Sequence, residues 1–187
     1  MKSKWVNRKF PYDGSQLRSL FGYLEFKLLG DSVISWRGAC NIPAQNILDG
    51  EDLLAGAEIR GSDMVHFIVE KFHEPISFGV AMQRIIASLV KDICQKLSKV
   101  KDVERMFRDG DDIYIGKKKF SISIATVSPV STLVHFAVNV SNVGTPVETL
   151  CLNDLNLDPK EFAIEVMARL TREVQSIEDA TKKVRTV

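Results

Sequence analysis

The stretch from about Gly79 to Lys99 constrains this chain most, because Val80, Met82, Ile85, Ile86, Leu89, Val90, Ile93 and Leu97 form one apolar stripe at the 3.6-residue period. A helix with so long a stripe needs an equally long apolar partner. A second long helix is announced by Asp158 as N-cap, Pro159 at the first helical position and Glu161 at the capping-box position. Phe162, Val166, Met167, Leu170, Val174 and Ile177 give it a buried face. A shorter helix is expected after Ser15, with Leu17, Leu20, Phe21, Leu24 and Leu28 at helical spacing and Gly30 at its end.

The partner is a sheet. Ser32 to Ile42, Asp63 to Phe72, Asp112 to Ile115, Lys119 to Thr126 and Leu133 to Ser141 read as strands, and Gly116-Lys117-Lys118 closes a hairpin. Pro43 to Gly61 is a mixed connection with one helical turn around Glu51 to Leu54. Neighbouring strands punctuated by two long helices imply the α+β class, with a mainly antiparallel sheet carrying both helices on one face. No linker-like run divides the 187 residues, so a single domain over 1–187 is expected.

Composition narrows the function classes. A formal net charge of +1 argues against a polyanion-binding surface, so neither nucleic acid nor a membrane is an expected partner. Cys40, Cys94 and Cys151 show neither a disulfide framework nor metal-ligand spacing, which fits a reducing compartment and no metal site. The N-terminal MKSKWVNRKFPYDG lacks the apolar run of a signal peptide, and no later segment is long enough to span a bilayer. The expected location is cytoplasmic.

Strand alternation then suggests a site. If Phe120, Ile122 and Ile124 lie under the helices, Lys119, Ser121 and Ser123 fall on the opposite face. The next strand places Val134, Phe136 and Val138 against His135, Ala137 and Asn139, and the strand from Asp63 places Val65 and Phe67 against Met64 and His66. Arg37 alternates with Trp36 and is expected on the same polar surface. A solvated sheet face accounts for any one of these residues. Small serines beside a lysine, with two of the three histidines, leave room for a ligand lying on the sheet. His73, beside Pro75 in a loop, reads as ordinary surface.

Asp111-Asp112-Ile113-Tyr114-Ile115-Gly116-Lys117-Lys118-Lys119-Phe120-Ser121-Ile122-Ser123 resembles the hairpin of biotin and lipoate protein ligases, whose fold is related to class II aminoacyl-tRNA synthetases. Leu133 to Asn142 followed by Pro146 is similar to a later strand of those ligases, and Arg60-Gly61-Ser62 to His66 sits where they place a substrate loop. The resemblance implies that Lys119 contacts carboxylate or phosphate, with Arg37, Arg60, Gly61, His66, Ser121, Ser123, His135 and Asn139 around the ligand. It implies a small carboxylic acid or acyl-adenylate as ligand, ATP as co-substrate and an unspecified acceptor protein, and it leaves a homodimer open. Pro11 to Leu17, Arg37 to Asn41, Asp63 to Glu70 and Tyr114 to Gly116 through Ser121 to Thr126 resemble more closely a mainly archaeal domain-of-unknown-function family with this ligase-like fold. The chain departs from true ligases in having no Gly-Arg-Gly-Arg-x-Gly loop.

Three readings follow. One is an acyl-transfer or acyl-adenylate enzyme with Lys119 stabilising developing negative charge. Another is a binding module for a carboxylate or nucleotide without chemistry, and the third is a protein-interaction subunit. Cys40, beside Arg37 and Asn41, is a weaker candidate nucleophile.

Overall fold

The computed structural model describes residues 1–185. In chain order the strands are β1 (Lys2–Val6), β2 (Ser32–Ile42), β3 (Ile59–Phe72), β4 (Phe107–Asp109), β5 (Asp112–Ile115), β6 (Lys118–Lys119), β7 (Ser121–Val127) and β8 (Ser131–Asn139). The helices are α1 (Phe21–Phe26), α2 (Gly50–Ala55), α3 (Ile76–Leu97) and α4 (Pro159–Lys182).

The main sheet has the order β1-β2-β3-β8-β7, and β4-β5-β6 form a small second sheet. Only the β1–β2 pair is parallel in the main sheet. Helix α3 lies over β7 and β8, α4 lies over β1 and β2, and the two helices pack together. The fold is therefore α+β, with a mainly antiparallel sheet and both long helices on one face. The sequence supplies the start of α4 directly: the Asp158 carboxylate accepts hydrogen bonds from the Lys160 and Glu161 N–H groups, which the first turn cannot satisfy itself.

The helix-covered face is apolar. Val65, Phe67, Val134, Phe136 and Val138 meet Met82, Ile86, Val90, Phe162 and Val166 there. The opposite face is also closed over much of its area, because Ile34, Trp36, Met64 and Ile68 pack under Tyr12, Leu17 and Phe21 of the N-terminal segment. All nine residues of β8 are consequently buried, including the polar ones.

That cover forces two local departures from regular structure. Leu20 adopts a left-handed backbone with φ of +63°, and its N–H donates to the Glu70 carboxylate at 2.8 Å. The helix expected from Ser15 is thereby reduced to the six residues of α1, because its chain turns over Glu70 before it can extend. At Gly38 the register of β2 shifts, and an added Cβ would lie 1.8 Å from the Phe10 carbonyl oxygen. Only glycine permits that approach.

The expected register of β7 is overturned. Ser121 pairs with Val138, Ser123 with Phe136 and Ala125 with Val134, so the serines lie on the helix side. Ile122 and Ile124 pair with Ala137 and His135 and lie on the other face. The cause is a break at Phe120. The chain leaves β6, which pairs with β5, and enters β7, which pairs with β8, so Phe120 and Ser121 both face the helix-side core. One irregular residue inverts the face of every residue after it. The Asn139 amide holds the break by donating toward the carbonyls of Lys119, Phe120 and Leu150 at 3.3–3.4 Å.

Candidate functional site

A cleft of ≈ 470 Å³ opens on the sheet face away from α3 and α4 and reaches around the β7 edge. Its floor includes Tyr12, Met64, Ile122, Ile124, His135 and Asn139. Its rim comes from the Asn46–Asp52 region with α2 on one side and from Thr145 to Val147 on the other.

The floor is organised by two buried histidines. His66 and His135 project from the same face of β3 and β8, on strand positions that the antiparallel register brings close. His66 Nδ1 lies 3.1 Å from His135 Nε2, and His66 Nε2 lies 3.2 Å from the Gly38 carbonyl oxygen. Tyr12 stacks on the His135 ring at a centroid distance of 3.7 Å. Burial pushes His66 down to about 4 and holds His135 well below its ordinary value, the neighbouring His66 adding to the second shift. Both rings are therefore neutral at physiological pH. Burial likewise raises the Tyr12 hydroxyl well above the usual phenol range.

The charged lining behaves differently. Lys119 Nζ sits 2.8 Å from Asp112, and Arg60 sits 2.8 Å from Glu58 while donating to the Gly144 carbonyl. These are the two cations of the lining, and each has a carboxylate partner that lines the same cleft. Asp49, Glu51, Asp52 and Asp111 add further negative groups. Asp49 caps α2 through the N–H groups of Glu51 and Asp52, and Asp111 accepts from Ser123 and Gln83.

The structure thus gathers Arg60, Lys119, Ser121, Ser123, His135 and Asn139 around one cleft. The two serines contribute less than expected: Ser121 Oγ accepts from the Ile113 N–H and Ser123 Oγ bonds to Asp111 and Gln83, beneath α3. Gly61 is buried against Met64 beside Arg60 and does not itself line the cleft. His66 stands one layer deeper, fully buried and in contact with the cleft through His135. Arg37 is excluded. It pairs with Val65 in the β2–β3 register, which puts it on the helix face, where its guanidinium binds Asp63 in a bidentate pair. Cys40 is buried and its thiol is pushed up to about 12 by desolvation, which leaves no thiolate for nucleophilic attack.

A family profile described as "Domain of unknown function (DUF366)" matches residues 1–185. The chain belongs to the DUF366 family. "Uncharacterized protein MJ0805" from Methanocaldococcus jannaschii is 27% identical over 186 residues, covering 96% of this chain and 82% of that protein. A solved "Protein of Unknown Function" from Pyrococcus horikoshi matches 99% of each chain at 38% identity with a TM-score of 0.89. Beyond DUF366 the likeness is one of fold. A biotin protein ligase from Aquifex aeolicus in complex with biotin and ATP gives a TM-score of 0.59 at 11% identity, over 95% of this chain and 72% of that one. The putative lipoate protein ligase Ta0514 from T. acidophilum gives 0.58 at 12% identity, over 94% and 86%.

Two site residues of this DUF366 chain escaped the sequence. Tyr12 lies in a turn-like segment and reaches the histidines only because Phe10 to Tyr12 runs beside β2, with the Tyr12 N–H bonded to the Ala39 carbonyl. The Asp112 carboxylate gave no signal as the partner of Lys119, since the pairing depends on how β5 and β6 meet. Among the described residues no cluster of three His, Cys, Asp or Glu side chains has metal-binding geometry, and no helix is long and apolar enough to cross a membrane.

Proposed function

We propose that this DUF366 protein is a small-molecule-binding module whose ligand occupies the cleft beside β7 and β8, without a bond-making step. The observation that carries this reading is the charge state of the cleft: a neutral His–Tyr floor, with both lining cations already held by carboxylates at 2.8 Å. The size suits a small organic ligand. A triphosphate fits the lining poorly, because it would meet six carboxylate residues and no uncompensated cation.

In this reading Lys119 holds the mouth of the cleft through its pair with Asp112, and a ligand bearing a carboxylate would exchange with Asp112 for the ammonium group. Calorimetry of the full chain against nucleotides and small carboxylic acids tests the reading, together with pyrophosphate-exchange assays on the same compounds. Binding without exchange supports the module. Exchange of pyrophosphate into ATP with any carboxylic acid would overturn it.

A second reading, an acyl-adenylate enzyme acting on a small carboxylic acid, draws support from the fold shared with a biotin protein ligase solved with biotin and ATP. It requires Lys119 to leave Asp112 when substrate arrives. Replacing Asp112 with Asn would then raise exchange activity, and no change would count against this second reading.

A further inference from the structure

The hydrogen-bond polarity of the cleft floor follows from backbone carbonyls, which can only accept. His66 Nε2 faces the Gly38 carbonyl at 3.2 Å, so in the neutral ring that nitrogen carries the proton and Nδ1 carries a lone pair. His135 Nε2, 3.1 Å from that lone pair, must then be the donor between the two rings. The neutral His135 ring is left with its lone pair on Nδ1. Asn139 is fixed by the same logic. Its Nδ2 points at the carbonyls of Lys119, Phe120 and Leu150, which turns Oδ1 away from them.

Neither His135 Nδ1 nor Asn139 Oδ1 has a protein hydrogen-bond partner among the described residues, although the two residues are only 1% and 4% exposed. Ser35 Oγ is the one side-chain polar atom among the described residues that is both sealed from water and unpartnered. The two acceptors are therefore not sealed, and both residues line the cleft. They lie four positions apart on one face of β8, a separation of about 13 Å along the strand.

We infer that the ligand of this cleft docks as a hydrogen-bond donor, presenting an N–H group of a neutral amide, lactam or amino-heterocycle to His135 Nδ1, and that a ligand long enough to span the floor adds a second donor at Asn139 Oδ1. The inference rests on the cleft-binding reading above and narrows its ligand class. A carboxylate or phosphate placed against either acceptor would face a lone pair, so any anionic end of the ligand belongs beside Lys119. A donor group instead replaces water on an acceptor that burial has left with few alternatives. The Tyr12 ring packed on His135 fixes the imidazole plane, which gives the floor a direction as well as a polarity.

Nitrogen-15 spectra of the histidine-labelled full chain test the polarity without any ligand. The expected result is protonated Nε2 and bare Nδ1 in both His66 and His135; a proton on His135 Nδ1 would overturn the inference. Matched fragments then test recognition, each N–H compound beside its N-methyl analogue: 2-pyridone, benzimidazole and oxindole. By NMR titration the N–H members should bind about tenfold more tightly than their analogues, with shifts at Ile122, Ile124 and His135, and His135→Phe should abolish the preference. Equal affinities with the same cleft shifts would overturn the donor inference while leaving the cleft as the ligand site. Shifts confined to residues outside the cleft for every fragment would overturn the cleft-binding reading and this inference with it. If His135→Phe does not fold, the wild-type tautomer and the matched-pair ratio still decide the matter.

Discussion

The two faces of the main sheet are both buried, yet they are buried by different means. Behind the sheet, α3 and α4 close over Phe67, Val134 and Phe136 chiefly with aliphatic and aromatic side chains. In front, Trp36, His66, His135 and Tyr12 form a stacked, hydrogen-bonded layer that ends at an open cleft. The first face depends on shape and area. The second also depends on protonation state, because each ring nitrogen has one role and a buried polar group without its partner is costly. The difference teaches that the face left open by the cleft is the one held together by hydrogen-bond polarity.

The largest test of this contrast is Phe136→Ala, which empties space beneath the helices. It should destabilise the fold by about 3–5 kcal/mol in urea unfolding, while a loss under about 1 kcal/mol would show that the helix side is not the dominant core. Acid addresses the other face. His66 sits near 4 when folded against an ordinary 6.5, so the unfolded chain binds the extra proton first as pH falls. Stability should be complete above pH about 6.5 and decline toward pH 4, with a slope of up to about 1.4 kcal/mol per pH unit for one histidine. Melting temperatures that stay level between pH 7 and pH 5 would break the contrast.

Smaller effects sharpen it. Ser123→Ala should cost about 1 kcal/mol, since it removes a partner from Gln83 and Asp111 under α3. It should leave fragment binding in the cleft unchanged, and a larger change in binding than in stability would return that serine to the site. Lys119→Ala should change stability by less than about 1 kcal/mol, because its pair with Asp112 is partly exposed. Any effect it has should appear in the affinity of ligands carrying an anionic group.

The fold was readable where a signal was local and long. The α3 stripe and the Asp158-Pro159 cap needed no tertiary information, and β3 and β8 keep one unbroken ladder from Met64–Asn139 to Phe72–Ser131, so their alternation gave the correct faces. In β7 the same reasoning failed, because the phase of alternation is reset at Phe120 by bonds from Asn139 to Phe120 and from Leu150 to Lys119, both far along the chain. Arg37 was misassigned for a related reason, since the face of β2 is settled by its pairing with β3 and its own alternation is weak. β1 gave no signal of its own: Lys2 to Val6 alternates poorly and is a strand because it lies along Ser32 to Trp36. Candidate residues were legible as types and their partners were not, which is why Lys119 was visible and Asp112 was not.

Gly38 joins distant parts of the molecule. Its carbonyl sets the proton on His66, and its missing side chain admits Phe10, whose own carbonyl accepts the Trp36 indole N–H. Two positions later in the sequence Tyr12 roofs His135. A single methyl group at residue 38 would therefore act at two places at once, prising the N-terminal arm from its seat and unlatching the ring that keeps the cleft floor flat. The shape of the cleft is in this sense written into the clearance between two stretches of backbone, well away from any atom a ligand would touch.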